Sequence, residues 1–162
     1  MKNRKKAVIV DIDGTIADIT HRLHFIQDKY TVVDGVIKNQ KKDWDSFYGN
    51  VLGDEVIIAM RNLLVALHGD GIELIYVSGR REDTFDDTIS WFVLNDVPFD
   101  RNLIFLRMAG DKREDAVVKF EIYKDCIEHK FDVQFVLEDR VTVVAMWRSL
   151  GLLTLQCAEG NF

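Results

Sequence analysis

Cysteine and proline are almost missing from this chain. The two cysteines, Cys126 and Cys157, stand far apart and form no CxxC pair. That argues against a disulfide framework or a zinc site and predicts two small buried thiols in a reducing compartment. A single proline, Pro98, with no low-complexity run and no repeat, leaves nothing that reads as a linker. One domain over residues 1–162 is therefore expected, large enough to bury its own core. No overall positive field exists either: the formal net charge is −6. Nothing advertises nucleic-acid binding globally, although local basic clusters could hold a phosphate. No apolar run approaches the ~20 residues of a membrane-spanning helix. The basic stretch Met1–Lys6 is followed by four apolar residues before Asp11 intervenes, too few for a secretion signal. A cytoplasmic protein with no membrane partner is expected.

What is present begins with Ala7-Val8-Ile9-Val10-Asp11-Ile12-Asp13-Gly14-Thr15. Four consecutive apolar residues read as a strand covered on both faces, the signature of a parallel sheet. Residues i and i+2 of a strand share a face, so Asp11 and Asp13 point into one small volume if the strand persists to its tip. Two carboxylates that close repel unless a cation or shared proton lies between them. An Asp-Gly turn with two solvated acids is the plainer alternative.

Beyond this strand the chain is polar and dotted with aromatics to about Gly53. It reads as a cap-like insertion at about 20–53, with short helices around Arg22–Lys29 and Asp43–Tyr48. A Val-rich piece, Thr31–Ile37, turns at Asp34-Gly35 between them. Trp44, Phe47 and Tyr48 either line a pocket or, as their three-and-four spacing suggests, form a packing face. Regular patterning follows: a helix through Val56–Leu67 with Asp54 as N-cap and Gly69 as stop. Then come a strand at Ile72–Val77, a helix through Phe85–Val93 and a strand at Leu103–Leu106. A helix at about Glu114–His129, a strand at Val133–Leu137, a helix through Val143–Leu150 and a strand at Leu152–Cys157 complete the order. Strands alternating with helices through short loops imply an α/β fold: a Rossmann-like parallel sheet with helices on both faces.

In such sheets ligands bind beyond the carboxyl ends of the strands. The polar clusters Asp11/Asp13, Ser78/Arg80, Arg107 and Glu138/Asp139 each follow a strand directly. All of them therefore fall on one edge. Clustered acids suit a hard divalent cation with oxygen ligands, Mg²⁺ first. Ser78, Arg80 and Lys119 offer hydrogen bonds and positive charge to a phosphoryl group, whose transfer needs mainly positioning and neutralisation. The sets required for acyl transfer are missing. Alone, Asp115 and Lys119 at i,i+4 would be an ordinary ion pair. His21 and His24 read as solvated rather than as a metal pair, Lys112 and Arg113 as a solvated loop, and Trp91 and Trp147 as core.

Asp11-Ile12-Asp13-Gly14-Thr15, Ser78, Lys119 and Glu138-Asp139, in that order at those tips, resemble the four motifs of the haloacid dehalogenase (HAD) superfamily phosphatases. Gly110–Lys119, Phe131-Asp132-Val133, Asp139-Arg140, Val144–Arg148 and the closing Ala158–Phe162 are similar to 3′-phosphatase domains of the bacteriophage polynucleotide kinase-phosphatase type. The resemblance spans Val8 to Phe162, with the insertion matching poorly. It implies Asp11 as nucleophile, forming an aspartyl-phosphate, and Asp13 as acid and then base. Ser78 and Lys119 would grip the phosphoryl group. Asp139, with Asp11 and the main-chain carbonyl of Asp13, would bind Mg²⁺. Glu138 stands where the family has a second aspartate, so it suits holding a metal-bound water better than direct ligation. Thr15, Arg22, Gly79, Arg80, Arg107 and Asp115 fall on substrate-binding positions, with Arg22 and Arg80 as phosphate or substrate contacts.

A Mg²⁺-dependent phosphomonoesterase acting on 3′-phosphates of nucleotide or nucleic-acid ends is the leading expectation. A phosphatase for mononucleotides or other small esters is the alternative, favoured by the acidic charge. A phospho-accepting receiver-type domain is disfavoured by Asp13, an acid such domains lack. No GxxxxGK[ST] occurs, so no P-loop kinase domain is present in this chain.

Overall fold

A computed structural model describes residues 4–160. Met1–Asn3, and Asn161 and Phe162 of the C-terminal motif, lie outside the described residues. The first strand, β1 (Lys5–Val10), is followed by a short β2 (Ala17–Asp18) and a single helical turn, α1 (Thr20–Leu23). A hairpin of β3 (Tyr30–Val33) and β4 (Val36–Asn39) leads into α2 (Trp44–Gly49). Then come β5 (Glu55–Val56), α3 (Ile58–Gly69), β6 (Glu73–Arg81), α4 (Phe85–Leu94), β7 (Ile104–Arg107) and α5 (Asp115–Ile122). The chain ends with β8 (Phe131–Arg140), α6 (Val141–Ser149) and β9 (Thr154–Gly160).

Five strands form one parallel sheet in the order β7-β6-β1-β8-β9, with β1 at its centre. Alternation along β1 decides which layer each residue joins. Val8 and Val10 pack with Leu74, Tyr76, Trp91 and Leu137 on one face; Ala7 and Ile9 pack with Ile75, Val77, Val136 and Trp147 on the other. Both faces are buried, which is why the strand reads as a continuous apolar run.

Several expected boundaries shift. The 22–29 helix is only the turn α1, because the chain is diverted into the hairpin, whose Asp34 and Gly35 take positive φ as the turn requires. Asp54 is not a helix cap: α3 starts after Ile57 with no side-chain cap, and the Asp54 carboxylate is held elsewhere. The 114–129 helix ends as α at Ile122 and continues as one π-turn, Tyr123–Ile127. Pairing of β2 with β5, which pins both ends of the insertion together, had no sequence signal, each strand being two residues long. Cys126 is half-buried and Cys157 exposed on the edge strand, not the buried pair expected. Trp91 and Trp147 are core, as expected.

Candidate active site

Strand β1 ends at Val10, although the Asp11 amide still donates to the Leu137 carbonyl of β8 at 2.9 Å. Beyond it the chain coils, with the amides of Ile16 and Ala17 both donating to the Ile12 carbonyl at 3.0 Å. Gly14, at φ +83°, makes the reversal, in a region where other residues are strained. Asp11 and Asp13 line one cavity, as the spacing suggests, yet they are anchored on opposite sides of the sheet.

Asp11 continues the parity of Ala7 and Ile9 and meets α5. Lys119 Nζ, fully buried, donates to Asp11 Oδ1 at 2.6 Å and to Glu138 Oε2 at 2.8 Å, and lies 3.6 Å from Asp115 Oδ2. Burial and the facing Glu138 push the Asp11 carboxyl well up, against the pull of Lys119. Burial works against the charge of Lys119, but the carboxylates of Asp11, Glu138 and Asp115 outweigh it and raise its pKa. The ammonium is a fixed positive charge between three acids. Glu138 Oε2 also lies 3.4 Å from the Trp147 ring nitrogen.

Asp13 turns the other way. Its Oδ1 accepts from Arg22 Nη2 and from the Arg80 guanidinium, both at 2.7 Å. Burial opposes the carboxylate, but Arg80 and Arg22 more than compensate and hold its pKa below the ordinary value. The same two arginines grip Asp54: Arg22 at 2.6 and 2.8 Å, Arg80 at 2.6 Å. Asp54 is fixed by its carbonyl, which accepts from the Trp91 ring nitrogen at 2.7 Å, and His21 Nε2 lies 2.9 Å from its Oδ1. His21 and His24 are both exposed, as expected of solvated side chains rather than a metal pair, although His21 also reaches Asp54; His24 contacts the His21 carbonyl at 2.9 Å.

Arg22 and Arg80 were expected as phosphate or substrate contacts. Both are wholly buried, and neither lines the cavity. Their guanidinium groups reach Asp13 and Asp54. Asp54 was missed because an aspartate ahead of an apolar helical pattern carries the same local signal whether it caps the helix or closes an ion-pair network.

Three carboxylates, Asp11, Glu138 and Asp139, each bring an oxygen within 4.8 Å of the others. Asp139 Oδ2 is buried with no hydrogen-bond partner. A Cβ on either Gly14 or Gly160 would collide with that same oxygen. Burial and the Glu138 charge push the Asp139 carboxyl up to about 7. An unpartnered carboxylate oxygen in a glycine-lined cradle, beside two further acids, is a donor set that fits a divalent cation. Among the described residues no histidine or cysteine joins this cluster.

The cavity, about 410 Å³, opens above these groups, a size that admits a small ligand. Arg107, Lys112, Arg113 and Arg140 line it, with Gly79, Asp115 and Arg81. Arg107 donates to Asp115 Oδ1 at 2.9 Å and to the Arg113 carbonyl at 2.7 Å, tying β7 to α5. Arg113 and Lys112 are exposed, as a solvated loop would have them, and Arg113 is also paired with Asp111 and Glu121. Ser78 and Thr15 lie below the cavity wall; the Arg80 amide donates to Ser78 Oγ at 3.3 Å, while Thr15 Oγ1 has no partner. The opposite wall is aromatic. Trp44 and Tyr48 stack at 5.9 Å and 25°, and Tyr48 Oη donates to the Gly79 carbonyl at 3.1 Å. Phe47 packs inward beneath Arg22, so the aromatic trio is both a packing face and a pocket wall.

Residues 29–162 match the family described as the polynucleotide kinase PNKP phosphatase domain. A protein of Autographa californica nuclear polyhedrosis virus named as a bifunctional polynucleotide kinase/RNA ligase is 28% identical over 155 residues, which is 93% of this chain and 19% of that protein. Two solved chains from the Pnkp1/Rnl/Hen1 RNA repair complex superpose over all of this chain at TM-scores of 0.79 and 0.80 and 27% identity. This chain spans just under half of each of them, 49% and 45%. A class C acid phosphatase from Bacillus anthracis shares the fold at TM-score 0.71 and 16% identity, covering 99% of this chain and 69% of its own. The chain is a phosphatase that belongs to the PNKP phosphatase-domain family of the HAD hydrolases.

Proposed function

We propose that this domain is a Mg²⁺-dependent phosphomonoesterase that removes 3′-phosphates from polynucleotide ends through an aspartyl-phosphate on Asp11. The observation that carries this reading is the separation of roles between the two acids of one cavity. Asp11 sits against a fixed ammonium, and Asp13 against two guanidinium groups.

Asp11 attacks phosphorus and the bond to the leaving alcohol oxygen breaks, giving an acyl phosphate. The departing oxygen takes a proton from Asp13. Arg22 and Arg80 favour the carboxylate of Asp13; the incoming negative phosphate opposes them and lets the group carry that proton. In the second half Asp13, anionic again, removes a proton from water as its oxygen attacks phosphorus. The Asp11–phosphorus bond breaks, inorganic phosphate leaves and Asp13 is recharged. Lys119 keeps Asp11 oriented throughout and neutralises phosphoryl oxygens as they approach. Asp11 and Asp139 would hold Mg²⁺, with Glu138 behind them, and the bound cation would supply neutralisation of the transferring group.

The relatives named for polynucleotide chemistry support the substrate class; Arg107, Lys112, Arg113 and Arg140 offer it positive charge from a cavity lining they share with Asp111, Glu114 and Asp115. The test is phosphate release from 3′-phosphorylated oligonucleotides, 5′-phosphorylated oligonucleotides and mononucleotides, with Mg²⁺ or EDTA. Mg²⁺-dependent release from the 3′-phosphorylated strands supports the reading. Release confined to mononucleotides would move it to small esters, and no release at all would end it.

A further inference from the structure

Among the described residues the β3–β4 hairpin is a sheet of its own, attached to no other strand. A lone two-stranded ribbon is marginal in water, and its apolar side chains are normally buried against something. Here they are not. Val32 pairs with Ile37, and Tyr30 lies two residues before Val32 on the same face. These three are 67–71% exposed. Lys29, Lys41 and Lys42 flank them at the foot of the ribbon, all exposed, in a chain whose net charge is −6; Lys42 lies 4.0 Å from Asp28, and Lys38, paired with Thr31, belongs to the other face.

The hairpin is also continuous with the catalytic cavity. Its first strand follows closely on Ile26 and its second runs into Trp44, and both residues line the cavity wall. The Gln40 amide bonds the Lys29 carbonyl at 2.7 Å and the Asp43 amide bonds the Phe25 carbonyl at 2.9 Å, closing the base of the arm. A strand whose phosphorylated end lies at Asp11 can leave the cavity past Trp44 along this arm.

We propose that the exposed face of the hairpin is a track for single-stranded nucleic acid, Tyr30, Val32 and Ile37 receiving unstacked bases and Lys41 and Lys42, at the foot of the second strand, the backbone. An aromatic side chain beside lysines is the element that sequence-tolerant single-strand binding uses, bases stacking on the ring and the backbone tracking the positive charge; Val32 and Ile37 extend the apolar floor next to Tyr30. A small ester would gain nothing from it. The proposal rests on the polynucleotide reading above and adds where the upstream nucleotides lie.

Two variants test it, Tyr30→Ala with Ile37→Ser, and Lys41→Ala with Lys42→Ala. Phosphate release would be followed on a 3′-phosphorylated strand of about 12 nucleotides and on a nucleoside 3′-phosphate. Binding of an unphosphorylated labelled strand, in DNA and RNA forms, would be read by anisotropy at two salt concentrations. The wild type is expected to favour the long strand. The first variant raises its KM roughly 5- to 100-fold, the loss of one base stack. The second weakens binding and flattens its salt dependence. Neither changes turnover of the nucleoside phosphate. Unaltered binding of the labelled strand by both variants overturns the track, whether or not 3′-phosphates are hydrolysed. Failure to hydrolyse either substrate, with hairpin-dependent binding retained, would instead remove the catalytic reading and keep the track. A dimer in sedimentation that Ile37→Ser dissociates, with strand binding unchanged, would assign the face to a second copy and overturn the proposal.

Discussion

Asp54 and Asp13 share the same two arginines. Arg22 and Arg80 each reach both carboxylates at 2.6–2.8 Å, so the acid proposed to move the proton is positioned by another acid outside the cavity wall. Replacing Asp54 with alanine would leave two wholly buried guanidinium groups with only Asp13 between them. Breaking a buried pair by removing one partner costs ~3–5 kcal/mol. The melting temperature should fall by about 10 °C, and turnover by ~10²-fold or more as Asp13 loses its orientation. Asp54→Asn keeps the shape but sets an amide NH2 against a guanidinium donor and removes the charge, so it should recover little of either stability or turnover. Full activity in both variants would show that Asp13 needs no such support.

Arg80 heads the favourable influences on Asp13, ahead of Arg22. Because the folded-state pKa of Asp13 lies below its unfolded value, its contribution to stability is present above the ordinary carboxylate range. It is lost as pH falls through the lowered value. Arg80→Met removes that contribution. The gap in melting temperature between wild type and variant should be widest near neutrality and shrink in acid. A gap independent of pH would contradict the pairing.

How much of this was legible beforehand depends on whether a residue's role is local. The strand tips were, because an apolar run ending in acids fixes both strand and edge; Asp11, Asp13, Lys119, Glu138 and Asp139 all meet at one cavity. The partners of Asp13 were not. Arg22 and Arg80 are 58 positions apart in sequence, and whether an arginine faces a substrate or a buried aspartate depends on how the insertion folds back. The insertion itself lacks the long periodicity that makes helices readable, its helical turns and strands from α1 to α2 being four to six residues long.

Asp11→Asn separates chemistry from stability. Burial and Glu138 already disfavour the Asp11 charge, so a neutral amide of the same shape costs the fold little. Turnover should fall by ~10³-fold or more, as when one member of a catalytic unit is removed, while the melting temperature holds or rises. Burst labelling by a phosphorylated substrate in the wild type, absent from the variant, would tie the loss to the acyl phosphate.

A divalent cation binding at Asp11 and Asp139 should stabilise the folded chain. At about a hundredfold excess over Kd the gain is ~2.7 kcal/mol, or about 5–10 °C in a domain of this size. Asp139→Asn withdraws the orphaned oxygen and should abolish most of the Mg²⁺-induced shift without lowering the melting temperature of the metal-free protein. The thermal shift reads binding directly, so it remains informative if the variant is inactive for other reasons. An undiminished shift would place the cation elsewhere.

Gly79 leaves room for Asp115. A Cβ at this position would stand 2.6 Å from Asp115 Oδ1 and 3.2 Å from its Cγ. The carboxylate cannot swing away freely, since Arg107 holds it at 2.9 Å and Lys119 lies 3.6 Å from it. Gly79→Ala must therefore push α5 or displace Arg107 from the cavity wall. Overpacking of this kind costs ~1–3 kcal/mol, a fall of several degrees in melting temperature. The catalytic loss should be disproportionate, because Asp115, Arg107 and Lys119 all line the cavity. Gly69→Ala is the matched control: at the end of α3, with nothing within 4 Å of an added Cβ, it should hold or gain up to ~1 kcal/mol and leave turnover unchanged. Equal behaviour of the two alanine variants would mean that the approach of Gly79 to Asp115 has no part in shaping the site.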